Sequence, residues 1–350
     1  MNYKKIILLL LIIGISINVR QIVLAQNVEG ELIHKAEWIF ESKDRFISQP
    51  VLGENKIIIP TNSKIYSINL NGKKQWSFDK GSLYPPAVSS NGTIYFASGD
   101  LIALNSEGKK LWSLEKNNGV TFFFPTLGKN NTIYVGASNS KVYAINSEGE
   151  IKWNVELNEK LSSSPVQDEK GNIFMLTLNR KLYYINSKGK KIWSLKIGEP
   201  IHPFLTSEPV LGEEEIYVGT GNGLFSINFD GTVNWHFKTS DNVLTPAVDE
   251  NRNKIYIVAG EILYGLNKKG EKRWSYDIGE VWAPPVIDDK GYLYIRAENL
   301  LKFSESCEKK WSYYIGPSFE DAFNSPLIGT KNLMYVTIRN KVVELSLEEL

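Results

Sequence analysis

The sequence is poor in the residues that usually carry chemistry. A single cysteine, Cys307, stands among 350 residues, so no intramolecular disulfide staples the chain and the amino-terminal stretch offers no thiol for a lipid anchor. There are three histidines, His34, His202 and His236. They have no metal-ligand spacing to one another or to Cys307, and read as surface or connector residues with no metal site. Charge of either sign is not in excess: 40 basic against 39 acidic side chains leave a net +1. Such a chain has no bulk electrostatic reason to hold nucleic acid or an anionic membrane. The longest apolar run, Ile6 to Ile17, is shorter than the roughly 18–20 residues that span a bilayer. Trp-Asp and Gly-His dipeptides are missing as well, which counts against a seven-bladed WD40 ring.

What the amino terminus does contain is an address. Lys4 and Lys5 precede the apolar run, and Val23-Leu24-Ala25 places small or modest residues before Gln26. Residues 1–25 therefore read as a cleaved secretory signal. The remainder, 26–350, reads as one domain in an extracytoplasmic compartment, secreted or periplasmic. The competing reading is an uncleaved anchor from Ile6 to Ala25, with Asn18, Arg20 and Gln21 carried into the bilayer.

Tryptophan supplies the organising signal. Trp38, Trp76, Trp112, Trp153, Trp193, Trp235, Trp274 and Trp311 recur at intervals of 36 to 42 residues, and only Trp282 falls outside the series. Six of them are preceded by asparagine at −7 and glycine at −4, as in Asn69 and Gly72 or Asn146 and Gly149; a seventh copy degenerates to Ser304 and Cys307. Asparagine at the first position of a turn can hydrogen-bond the backbone two residues on. Glycine at the fourth accepts the left-handed conformation that closes a hairpin with a bulge. Each motif is thus a hairpin tip between β-rich segments such as Lys141 to Ile145 and a strand ending in tryptophan. Upstream lie proline-led entries, such as Pro165-Val166, and then Ile-Tyr pairs, such as Ile133-Tyr134.

Four short strands per repeat make a propeller blade, which cannot bury both faces without neighbours. Strand sets starting at Pro50, Pro86, Pro125, Pro165, Pro209, Pro246 and Pro285 each end in a tryptophan strand. An eighth starts at Pro326 and stops before any tryptophan, so its outer strand must be Ala36 to Phe40 from the other end of the chain. The expected fold is all-β: an eight-bladed propeller of four-stranded antiparallel blades, closed by the N-terminal strand, which removes the open edges.

Segments such as Tyr143-Ala-Ile-Asn146-Ser-Glu-Gly149-Glu-Ile-Lys-Trp153 resemble the tryptophan-docking repeat of pyrroloquinoline-quinone-type propellers. That family includes the quinoprotein alcohol dehydrogenases and the outer-membrane assembly lipoprotein BamB. The resemblance covers nearly all of the chain after residue 25. It implies that the eight regular tryptophans pack blades together. It implies function only weakly, because binders and enzymes share the repeat. The dehydrogenases hold their quinone against a disulfide between adjacent cysteines, which this chain lacks, so no cofactor and no catalytic residue is expected. The nearest functional analogy is a BamB-like scaffold. Gly219-Thr-Gly221-Asn-Gly223 superficially suggests a phosphate loop but opens no helix, and reads as a strand connection.

Function is then expected on the connectors between blades, which share one face with the turns between second and third strands. The two longest connectors, Trp193 to Pro209 and Trp311 to Pro326, hold His202 and Phe204, and Phe319, Glu320, Asp321 and Phe323. Phe46, Tyr84, the run Phe122-Phe123-Phe124, and Trp282 add aromatics from other connectors. The expected partner is another extracytoplasmic protein or a peptide segment, with carbohydrate as the alternative ligand. Whether these aromatics are exposed or plug the central channel is left open by the sequence.

Overall fold

The computed structural model describes residues 35–115, 119–202, 207–281, 283–315, 324–330 and 332–348. The expected signal at 1–25 lies outside them. Among the described residues no helix is long and apolar enough to cross a membrane.

The middle strands of each repeat are made from β-branched and aromatic residues that favour a pleated, crowded surface. In the first repeat they are Lys56–Pro60 and Ile65–Asn69, flanked by Val51–Leu52 and Lys74–Phe78. The same plan recurs to give eight four-stranded antiparallel sheets, each a blade. Blade 3 comprises Phe122–Leu127, Ile133–Ala137, Lys141–Ile145 and Ile151–Glu156. Blade 4 comprises Val166–Gln167, Ile173–Leu176, Lys181–Ile185 and Lys191–Lys196. Most first strands are only two residues long, while the fourth strands of blades 1 to 7 each begin with two exposed residues.

Blade 8 is assembled from both ends of the chain. Leu327–Ile328, Leu333–Ile338 and Lys341–Ser346 are completed by Ala36–Glu41, with Trp38 opposite Glu344 and Phe40 opposite Val342. The closure expected from the orphan tryptophan strand is therefore present.

Hydrophobic burial is organised between blades. Tyr95, Leu101 and Ala103 of blade 2 pack on Ile133, Val135 and Ile145 of blade 3. Phe40, Tyr335 and Val342 of blade 8 pack on Ile57, Ile59 and Tyr66 of blade 1, closing the ring. At roughly 1.5–3 kcal/mol for each fully buried large side chain, these interfaces dominate over anything a single blade can bury alone.

The tryptophans and the hairpin tips form one device. In the first tip, Gly72 adopts φ 74° and donates its N–H to Asn69 O, while Asn69 Oδ1 accepts the N–H groups of Asn71 and Lys73. The glycine also leaves room for the preceding blade's indole: a Cβ on Gly72 would lie 2.5 Å from the ring of Trp38. Trp38 Nε1 then donates to Leu70 O at 2.8 Å in that same tip. Trp76, Trp112, Trp153, Trp193 and Trp235 repeat the bond to the next tip. In the degenerate tip, Cys307 still takes φ 68° and donates to Ser304 O, but carries a side chain where the others carry none. Within blades, a second-strand tyrosine leans on the tryptophan, as in Tyr134 on Trp153 with centroids 5.8 Å apart.

Gly149→Ala is expected to destabilise the fold by roughly 2–3 kcal/mol, since the new methyl meets both the left-handed φ and the Trp112 ring. Gly119 has a similar φ but nothing within 4 Å of its Cβ position. Its alanine variant should lose only about 1 kcal/mol. Equal losses in urea denaturation would show that the indole contact contributes nothing.

Candidate binding site on the connector face

Antiparallel order sends the first strand away from the connector and brings the fourth back, so connectors and second-to-third turns lie on one face. Isolated bridges tie the two together: Phe46 to Thr61, Phe122 to Gly99, Leu161 to Thr177 and Val243 to Ala259. The Asn-Gly tips lie on the opposite face. Gly219 to Gly223 is the second-to-third turn of blade 5, between Glu215–Thr220 and Gly223–Asn228, as expected.

A cavity of about 380 Å³ opens on the connector face, within the size range of small-ligand pockets. Four consecutive connectors contribute to it. Tyr84 enters blade 2, Phe123 and Phe124 enter blade 3, Lys160 to Ser162 enter blade 4, and Ile201 and His202 enter blade 5. The turns of blades 3 and 4 add Ala137, Ser138, Leu178 and Arg180.

Tyr84, Phe123 and Phe124 form a half-buried aromatic wall. Ring centroids are 4.6 Å apart for Tyr84 and Phe124, and 5.3 Å for Phe123 and Phe124. Such pairs contribute about 0.5–1.5 kcal/mol each beyond their buried area. Burial raises the Tyr84 hydroxyl pKa, so it stays a protonated donor at neutral pH. Phe124 is strained: it takes φ 55°, immediately before Pro125, where the first strand of blade 3 slips register between Phe123 and Thr126. A left-handed non-glycine residue costs on the order of 1–3 kcal/mol, and the bulge it occupies is what keeps the Phe124 ring against Tyr84.

Of the residues expected at this face, Tyr84, Phe123, Phe124 and His202 meet in one cavity. Phe204, Trp282, Phe319, Glu320, Asp321 and Phe323 lie outside the described residues. Phe46 and Phe122 are not part of the face: at 0% and 4% exposure they belong to the interfaces of blades 8 and 1 and of blades 2 and 3. The connector aromatics thus divide between blade interfaces and the lining of the cavity. Arg180, Lys160 and Leu178 were missed. Strand order places their turns and connectors on this face, but nothing in the local sequence marks Arg180 as a buried cavity residue.

His202 is exposed, with its backbone N–H bonded to Asn242 Oδ1 at 3.0 Å. His236 departs from the expected surface or connector position. It lies in Val233–Lys238, the fourth strand of blade 5, half-buried and stacked on Phe225 with centroids 3.9 Å apart at 13°. Burial holds its pKa below the ordinary value. Burial likewise raises the Cys307 thiol pKa, which opposes formation of a nucleophilic thiolate. Among the described residues no three His, Cys, Asp or Glu side chains are grouped to hold a metal ion. A second cavity, about 900 Å³ and more open, is lined by the entries and first strands of blades 2 to 5.

Two outcomes follow from this geometry. Phe124→Gly should be more stable than Phe124→Ala by about 1 kcal/mol, because glycine relieves the left-handed strain and alanine does not. The reverse order in chemical denaturation would mean that the strain is absent. For His236, a folded pKa below the unfolded value means that the unfolded state binds the extra proton. The stability of the neutral stack is therefore full above about pH 6.5 and is lost as pH falls through the lowered folded value. His236→Phe should flatten that acid limb in denaturation series; an unchanged slope would exclude His236 as its source.

A family model described as outer membrane protein assembly factor BamB matches residues 97–304. Among solved structures, BamB from Moraxella catarrhalis is similar with TM-score 0.70 and 12% identity, over 88% of this chain and 95% of that one. Sqt1 from Saccharomyces cerevisiae has TM-score 0.72 and 11% identity, over 89% and 98%. A europium-containing methanol dehydrogenase has TM-score 0.60 and 12% identity, over 88% and 85%. At these identities the structural likenesses establish the fold alone. No curated protein matches the sequence.

Proposed function

Because the chain belongs to the outer membrane protein assembly factor BamB family, we propose that it is a non-catalytic scaffold that binds another protein or a peptide segment through its connector face. The observation that carries this reading is the convergence of four consecutive connectors on one cavity, walled by half-buried aromatics. Leu178 borders it at 50% exposure, and Leu83 stands beside Tyr84 at 68%. Large apolar side chains held in water beside a concavity are a mark of partner sites. The proposal includes export: a leader over residues 1–25, a single propeller domain over 26–350, and a partner in the same extracytoplasmic compartment. The family description, that of an assembly factor, supports a binding role over a catalytic one.

Carbohydrate is the second reading, favoured by the adjacent Tyr84 and Phe124 rings, and a glycan array without signal above background would remove it. Quinone chemistry does not fit the residues present. The adjacent cysteine pair is missing from the sequence, and no acidic cluster for a cation stands among the described residues.

The test is a pull-down from envelope extract with the purified chain. Leu178→Glu combined with Leu83→Glu should abolish recovery of the partner while stability stays within about 0.5 kcal/mol, as for most surface changes. Leu111→Glu, 54% exposed on the outer strand of blade 2, should leave recovery intact. Equal recovery by all three proteins would refute the connector face as the binding surface.

A further inference from the structure

One cation in the connector-face cavity has no described counter-charge. Arg180 is 2% exposed and borders the cavity. A guanidinium carries five N–H donors, yet the acceptor described for Arg180 is Ser207 O alone, at 3.4 Å. None of the ion pairs among the described residues involves it. Burial pulls its pKa down to about 10, with no opposing carboxylate, so it remains charged at neutral pH.

The other buried arginine behaves differently. Arg296, 3% exposed, donates to Thr337 O, to Thr337 Oγ1 at 2.9 Å and to Asn324 O, which ties blade 7 to blade 8. That is a structural arginine with its acceptors in place.

The backbone position makes Arg180 a costly choice. It closes the turn of blade 4 at φ 57°, with its N–H donated to Thr177 O; blade 3 uses Ser140 at φ 61° for the same turn. The turn therefore needs no long side chain. Among the described residues no acidic side chain lines the cavity, whereas Lys160, Tyr84, Phe123 and Phe124 do. Glu159, next to Lys160, accepts from Thr177 Oγ1 and pairs with Lys181. A buried cation with no described counter-charge, lining one cavity with an aromatic wall, is complementary to a carboxylate on an apolar body.

We propose that the connector-face cavity receives an acidic side chain of a partner peptide, paired to Arg180, with the neighbouring apolar residue of that peptide packed on Tyr84 and Phe124. The inference rests on the connector-face reading and adds the chemistry of the partner. Arg180 supplies planar, bidentate recognition that a lysine would not reproduce.

The test pans a random linear peptide library on the intact protein and measures the selected peptides by calorimetry. Enriched sequences should pair Asp or Glu with an aromatic or aliphatic neighbour. Arg180→Met should weaken them at least about 30-fold, as expected for truncating one partner of a buried charge pair, and Arg180→Lys should weaken them less. Arg180→Gly removes the left-handed strain, so it guards against a variant that fails to fold. Replacing the peptide's Glu by Gln tests the same contact on the unaltered protein and should produce a similar loss. Enriched peptides without an acid, Gln peptides that bind as well as Glu peptides, or Arg180 variants that bind within threefold of the parent would overturn the inference and leave the connector face standing. A library that yields no binder also overturns it, whereas loss of the connector face itself is read from the pull-down with Leu178→Glu and Leu83→Glu.

Discussion

A four-stranded blade has two apolar faces and no means of covering either, and the architecture follows from that deficit. Each blade lends one face to the blade before it and the other to the blade after, so burial occurs at eight interfaces rather than in eight interiors. An arrangement of this kind is stable only when it closes. The pairing of Ala36–Glu41 with Lys341–Ser346 supplies the closure and lets the facing surfaces of blades 8 and 1 pack on each other. The indole-to-tip bonds act at the same interfaces, nearer the rim. They set the spacing of neighbouring blades with a directional contact where hydrophobic packing alone is tolerant of sliding.

With the scaffold so determined by its repeat, departures from the repeat become informative. Phe124 breaks the backbone rule for its residue type, and the first strand of blade 3 slips its register to hold it. Arg180 departs from the rule that a buried charge is paired, since no described residue supplies its counter-charge. Both lie at one cavity, Phe124 against Tyr84 of the neighbouring blade and Arg180 beside Ser207 O. Strain and a buried charge with no described counter-charge cost stability, and their coincidence on the connector face is what supports the binding role proposed for it.

Much of this was legible in advance for a physical reason. A hairpin tip of asparagine and glycine is a local event, set by dihedral preference and a side-chain bond to the adjacent backbone, so Asn69 and Gly72 announce their turn without reference to the rest of the molecule. Tryptophan spacing is legible because repetition converts a long-range contact into a periodic one. Connector aromatics were harder. Phe46 and Phe122 occupy the same kind of position as Tyr84 and Phe123, yet the first two close interfaces and the second two line a cavity. No property of a phenylalanine in a sequence distinguishes those fates. His236 likewise looked like a surface residue until its stack on Phe225 placed it against the blade.

The sequence by itself determined the blade count, the strand order, the closure by the N-terminal strand and the face on which the connectors lie, because each depends on local turn chemistry and on period. Only the tertiary structure decided which connector side chains meet. The cavity joins residues from Tyr84 to His202, contributed by four blades. It also decided that the guanidinium of Arg180 is buried with no carboxylate described against it. Burial and counter-charge are properties of what surrounds a residue in space, and the ring brings those surroundings together from positions that the chain keeps far apart.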